Sequence, residues 1–181
     1  MVLAEGARLG PFSIYRDLVE ILVGEHSDIG SWNWVTCAPN LVTALNSDGY
    51  LRIGNHSAIT SRHYLDCSGG IAIGDYVTVA GVRSTFITHQ ISIERNEQTV
   101  AAISVGDYAL LGSNVSIVPG ARVPDRSLVA MGSVVARGLE EANSLYAGVP
   151  ARRVRAIEGA YFTRSDGSVS PPKSLEGIPS E

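Results

Sequence analysis

Cysteine is nearly absent from this 181-residue chain, which carries only Cys37 and Cys67. Two cysteines at no motif spacing make no disulfide framework, and they read as reduced core or lining thiols. Charge is sparse as well: 14 Lys and Arg stand against 18 Asp and Glu, a net charge of −4. That balance excludes a general attraction to nucleic acid or to an anionic membrane. No apolar run approaches the ~20 residues that cross a bilayer, so no membrane span is expected. No signal-peptide pattern opens the chain, and the expected location is the cytoplasm. Turn chemistry is what the chain has in quantity. Nineteen glycines and eight prolines supply frequent bends, and an apolar share of 45% is enough for one buried column.

An aliphatic residue returns at every sixth position over residues 105–135: Val105, Leu111, Ile117, Val123, Val129 and Val135. Four positions after each of the first five comes a small or β-branched residue: Ala109, Val115, Ala121, Ser127 and Ser133. A helix of 3.6 residues per turn would scatter a period of six around its circumference, so the beat excludes helix. Extended chain alternates faces with period two, and an even period keeps these side chains on one side. The turn residues Gly106-Asp107, Ser113-Asn114, Pro119-Gly120 and Pro124-Asp125 sit between them. Three strand-and-bend units close a triangular coil of eighteen residues. Val105 then stacks under Val123, Leu111 under Val129 and Ile117 under Val135, about 4.8 Å apart. The pattern is the hexapeptide β-helix repeat.

The same beat marks Ile29, Val35, Leu41, Ile53, Ile59, Leu65 and Ile71, with Ser47 a weak member, and then jumps by two to Ile73 and Val79. Trp32 and Trp34 read as core or subunit contacts. Before the beat, Ile14, Tyr15, Leu18, Val19 and Leu22 form an i, i+3, i+4, i+7, i+8 stripe, which predicts a short amphipathic helix over residues 11–23. Pro11 suits its first turn, and its apolar face is expected to cover the open end of the coil. The chain therefore divides into a cap over residues 1–28, a β-helix over 29–157 and a tail over 158–181. The tail is rich in Ser, Pro and Gly without periodicity and is expected to be irregular. Between 82 and 103 the register fails. Arg95, Asn96, Glu97 and Gln98 mark a loop extruded from the prism, a usual place for binding chemistry.

Four histidines are present. His26 and His56 fall in turn slots and read as surface residues. His63 occupies a slot where a small residue is expected and is predicted to point toward a groove. His89 stands where the repeat breaks, directly before the polar excursion, and a loop imidazole there is a candidate general base.

The stretch from about residue 53 to 155 resembles the hexapeptide-repeat acetyltransferases that use acetyl-CoA. This group includes galactoside, maltose, serine, xenobiotic and surface-polysaccharide acetyltransferases. The matching motifs run in family order. D-x-S-G-G-I-x-I-G-D (66–75) precedes T-H (88–89), V-G-D-x-x-x-L-G-S (105–113), P-G (119–120), G-S-V-V (132–135) and A-G-V-P-A-R (147–152). The resemblance implies an all-β fold, a left-handed parallel β-helix forming a triangular prism. It further implies a homotrimer with active sites between subunits and acetyl-CoA as co-substrate, with no metal. The general base it implies is His89, and Asp66 matches an acceptor-pocket residue that Tyr64 or His63 would join. Coenzyme contacts map to Leu110, Ser113, Met131, Arg137, Arg152 and Arg153. Leu110 replaces a tryptophan that many relatives carry. His89 lies one residue further from Val79 than in the sugar acetyltransferases, which points toward the polysaccharide branch.

The expected reaction is acetyl transfer to a hydroxyl of a sugar or surface-polysaccharide precursor. N-acetylation of an amino sugar, acetylation of an antibiotic, and a β-helix without activity are the alternatives. A zinc lyase on this fold needs two histidines about five residues apart, whereas His56 and His63 are seven apart.

Overall fold

In the computed structural model, which describes residues 1–45, 47, 49–167 and 169, the six-residue beat becomes three parallel sheets. The coil strands are two to four residues long and each sheet takes one from every coil. The fold is a left-handed parallel β-helix. Six coils stack, and the expected registers are present: Val105 pairs with Val123, Leu111 with Val129 and Ile117 with Val135. All six of these side chains are at most 3% exposed. Burying each contributes about 1.5–3 kcal/mol. The small residues of the repeat, Ala109, Val115, Ala121, Ser127 and Ser133, are buried too. They point inward next to a bend, where the triangle is narrowest and a large side chain would collide with the column.

The coils begin earlier than the sequence reading places them. Residues 11–23 form no helix; they contribute the strands Ile14–Arg16 and Glu20–Val23 with a corner at Asp17. The physical reason lies in a competing period. Leu3, Leu9, Tyr15 and Ile21 already keep the six-residue beat, and Leu3, Leu9 and Tyr15 pair with Val23, Ile29 and Val35 of the second coil. A helical stripe and a hexapeptide beat can share apolar positions over a dozen residues, and parallel pairing along two edges decides between them. The prism therefore starts at Val2 rather than Ile29.

One corner, between the first and second faces, carries a ladder. Asn55, Asp75, Asp107 and Asp125 each accept, through a side-chain oxygen, a backbone N–H from the preceding coil. The next residue along is left-handed: His26, His56, Tyr76, Tyr108 and Arg126 have φ between 50° and 58°. Such a backbone costs about 1–2 kcal/mol for a side chain larger than glycine. Stacking offsets that cost. The His26, His56, Tyr76 and Tyr108 rings lie face to face with centroids 5.3, 5.0 and 4.6 Å apart.

The described part of the tail is more ordered than its composition predicts. A 3₁₀ turn, Ala160–Thr163, buries Phe162, and Arg164 lies over the Tyr76, Tyr108 and Tyr161 rings while donating to the Tyr76 carbonyl. Residues 168 and 170–181 lie outside the described residues.

The remaining insertions gather at the corner between the third and first faces. After the second coil comes the only α-helix among the described residues, Pro39–Leu45. Leu41 keeps the beat but is buried on this helix rather than in a strand. After the third coil comes the turn around Gly69-Gly70, which produces the two-residue jump in frame. After the fourth coil an antiparallel hairpin, His89–Ser92 with Glu97–Val100, leaves the prism. The extruded segment is thus narrower than 82–103, because Thr85–Phe86 and Ile103–Val105 are ordinary coil strands. At the far end Ser144–Ala147 adds a parallel strand, and Arg152–Ala156 folds back antiparallel on it.

Candidate active site

The corner that collects the insertions also holds the one histidine with a carboxylate partner among the described residues. His89 is the first residue of the hairpin, and its Nδ1 lies 2.8 Å from Asp66 Oδ2. The imidazole is about one-third exposed while the Asp66 side chain is 3% exposed. A buried carboxylate beside a half-open imidazole fixes the ring: Nδ1–H donates to Asp66 and the lone pair is left on Nε2.

Asp66 is held from several directions. Ser68 Oγ lies 2.5 Å from Oδ1, and the Thr88 backbone N–H donates to Oδ2 at 2.8 Å. Burial by itself would raise the pKa of this carboxyl group. The Ser68 hydroxyl, the His89 imidazole and the Thr88 amide outweigh burial and keep it below the usual aspartate value. Asp66 is therefore an ionised orienting group. The resemblance implies an acceptor-pocket residue at Asp66; here its side chain is 3% exposed and bonded to Ser68, Thr88 and His89. Its partner Ser68 stands in the motif over 66–75 but is given no role by the sequence reading. The signal available for it was the D-x-S spacing, which brings a serine back onto an aspartate two residues earlier.

His63 also departs from expectation. It is 2% exposed and points into the corner of the prism, where Nδ1 accepts the Ser84 N–H at 3.1 Å and Nε2 faces Thr60 Oγ1 at 3.0 Å. Burial lowers its pKa to about 4. This neutral histidine joins coils and does not face a groove. Tyr64 is 41% exposed on the outer side of the third face, two residues before Asp66. It is the one predicted acceptor contact that reaches the surface.

Cys37 and Cys67 are free and buried on neighbouring coils, directly after the paired residues Thr36 and Asp66. Burial first, then the Asp66 and Asp17 carboxylates, pushes the Cys37 thiol up to about 12; burial likewise pushes Cys67 up. Protonated, enclosed thiols are poor nucleophiles. Among the described residues no group of three or more His, Cys, Asp or Glu side chains is placed to hold a metal ion.

The residues mapped to the coenzyme fall into two groups. Leu110 lies on the outer side of the second face between Thr78 and Leu128. Ser113 and Met131 follow at the corner between the second and third faces, with Met131 73% exposed. The Gly132 N–H bonds the Ser113 carbonyl, so these coils adjoin there. Arg137, Arg152 and Arg153 instead line a cleft at the C-terminal end with Leu139, Tyr146 and Ala151. Arg153 is partly committed, with its Nε 2.9 Å from both Glu141 and Ser144. His89 and Ser113 stand at opposite corners of the third face. Five residues of extended chain separate those corners, roughly 16 Å. One chain alone does not bring the two groups together.

No family model matches the chain. Among curated proteins it is 32% identical over 91 residues to the galactoside O-acetyltransferase of Escherichia coli, covering 48% of this chain and 44% of that one. It is 27% identical over 150 residues to a putative colanic acid biosynthesis acetyltransferase of the same organism, covering 83% and 69%. Among solved structures, a hexapeptide-repeat acetyltransferase of Vibrio cholerae complexed with acetyl coenzyme A superimposes with a TM-score of 0.59 at 25% identity. That match covers 86% of this chain and 73% of the other. In sequence and in fold the chain is similar to hexapeptide-repeat acetyltransferases. An N-acyltransferase of Bacillus cereus, in complex with dTDP and coenzyme A, shares the fold with a TM-score of 0.69 at 15% identity, covering 84% and 83%. The chain spans less than half the length of four of the curated relatives it matches. None of the helices among the described residues is long and apolar enough to cross a membrane.

Proposed function

We propose that this hexapeptide-repeat protein transfers an acetyl group from acetyl-CoA to a hydroxyl of a sugar, as a glycoside or a surface-polysaccharide precursor, with His89 as general base. The observation that carries the reading is the 2.8 Å contact from His89 Nδ1 to a buried, ionised Asp66. Acetyl-CoA supplies the activated thioester. His89 Nε2 takes the proton of the acceptor hydroxyl as its oxygen bonds to the thioester carbonyl carbon, and Asp66 stabilises the resulting imidazolium. The carbon–sulfur bond then breaks, and His89 returns the proton to the departing sulfur. The products are the acetyl ester and free coenzyme A. No step uses Cys37 or Cys67, whose thiols are buried and protonated.

Leu110, Ser113 and Met131 suit the coenzyme arm, because Gly132 leaves their corner without a covering side chain. Arg137 and Arg152 suit the nucleotide phosphates. A homotrimer reconciles the two corners: a neighbouring copy brings its coenzyme edge to this chain's His89. Phe12, Trp32, Trp34 and Tyr64 support that assembly, being exposed apolar surface on and beside the third face. The reading places the chain in the cytoplasm, where acetyl-CoA is available.

A thiol-release assay with acetyl-CoA across simple glycosides, nucleotide sugars, amino sugars and chloramphenicol-like drugs tests the proposal. Turnover on hydroxyl acceptors supports it. Turnover confined to amines moves the assignment to N-acetylation, a reaction of the kind the Bacillus cereus N-acyltransferase's name describes. Absence of saturable coenzyme A binding leaves a β-helix without this activity.

A further inference from the structure

We propose that Ser68 is a positioning residue, and that the insertion around the helix Pro39–Leu45 sets the geometry of the Asp66–His89 pair through it. The inference rests on the general-base reading of His89. Ser68 is fully buried and stands at the centre of four contacts. Its Oγ donates to Asp66 Oδ1 at 2.5 Å and accepts the Ala38 N–H at 2.9 Å. Its N–H reaches Asp66 Oδ1 at 3.3 Å, and its carbonyl accepts the Ser47 hydroxyl at 2.7 Å. A continuous chain therefore runs from the amide just before the helix, through Ser68 and Asp66, to His89 Nδ1.

The donor count explains why this link matters. A hydroxyl has one proton, and here it goes to Asp66 because the Ala38 amide can only donate to the oxygen. The insertion thus fixes the direction of the Ser68 hydroxyl, and that hydroxyl fixes which carboxylate edge is left for His89. The same helix also packs against Glu97–Val100, the strand paired with the one that begins at His89. The insertion grips the pair from the aspartate side through Ser68 and from the histidine side through the hairpin. Ionisable groups close to Asp66 are His89 and the Cys37 and Cys67 thiols, and the thiols carry no charge that would replace the serine.

The test uses the full chain labelled with ¹⁵N-histidine, and follows exchange of the His89 Nδ1 proton with water, its signal identified by loss in His89→Ala. Ser68→Ala should expose that proton to exchange about ten- to a hundredfold faster, the equivalent of one charge-assisted hydrogen bond. Ser47→Ala, which removes only a half-buried hydroxyl and should fold even where Ser68→Ala does not, should raise exchange several-fold. In turnover with acetyl-CoA both variants should lower kcat and leave KM for acetyl-CoA unchanged. The acidic limb of kcat/KM should move to lower pH in Ser68→Ala, because a carboxylate no longer held toward His89 stabilises the protonated imidazole less. Wild-type exchange and an unmoved acidic limb in Ser68→Ala overturn the positioning role; wild-type exchange in Ser47→Ala overturns the part given to the insertion. Full turnover by His89→Ala defeats the general-base reading instead, and the exchange result stands apart from it.

Discussion

Replacing Asp66 by Asn keeps the volume of a fully enclosed side chain and removes its charge. One amide oxygen can still accept, from Ser68 or from Thr88, but the NH₂ group must then face a donor. If it lies toward His89 and the Thr88 amide, it meets two N–H groups; if it flips, it meets the Ser68 hydroxyl and leaves His89 held by a neutral acceptor. Hydrogen bonds to a buried charge are each worth about 1.5–3 kcal/mol. Losing one and weakening the rest should lower stability by about 2–4 kcal/mol, read as a shift in the urea midpoint at constant m. The kinetic effect should be larger. With the donor toward it, the imidazole takes the other tautomer and presents Nε2–H where a lone pair is needed, so kcat should fall about 10²–10⁴-fold. Thiol release from acetyl-CoA at saturating acceptor measures it, with coenzyme affinity followed in parallel by calorimetry. An Asp66→Asn protein that is folded and turns over at the wild-type rate would refute the orienting role.

Other perturbations reach other parts of the account. His63 has a folded pKa of about 4 against about 6.5 when unfolded, so between those values the unfolded chain binds the extra proton. Its contribution is complete above pH 6.5 and is lost as pH falls toward 4, by about 3 kcal/mol, and urea melts of His63→Gln across that window should be correspondingly flatter than wild type. An equal slope in the variant would remove His63 as the cause. Arg152→Ala should raise KM for acetyl-CoA more than it lowers kcat; an unchanged KM assigns that arginine to the solvated end of the last strand. Tyr76→Ala removes a ring stacked on both sides and should cost about 1–3 kcal/mol in urea unfolding, with kcat untouched. A neutral result would mean the corner ladder does not offset the left-handed backbone.

The column was legible because a period of six has few structural solutions, and Val105, Leu111 and Ile117 pair as that period requires. The first coil was not legible, because Tyr15, Leu18 and Leu22 also satisfy a helical stripe and only pairing with the next coil separates the two. Leu41 shows the converse. It keeps the beat across an insertion and sits on a helix, since sequence phase survives where the strand does not. His89 stood out because the repeat breaks there. Asp66 was found as a residue but its bonds to Thr88 and His89 were not, for spacing along the chain carries no information about what lies above a side chain. His63 was misplaced for the same reason. The Ala38–Ser68 bond and the stacked His26, His56, Tyr76 and Tyr108 arise from contacts between coils 20 to 32 residues apart, which a reading along one coil does not reveal.

The most direct measurement compares wild type with His89→Ala for thiol release from acetyl-CoA in the presence of a sugar acceptor, with coenzyme binding measured on the same samples. The account predicts a fall of about 10²–10⁴-fold in turnover with coenzyme affinity unchanged. Equal turnover in the two proteins, or no coenzyme binding by either, would contradict it.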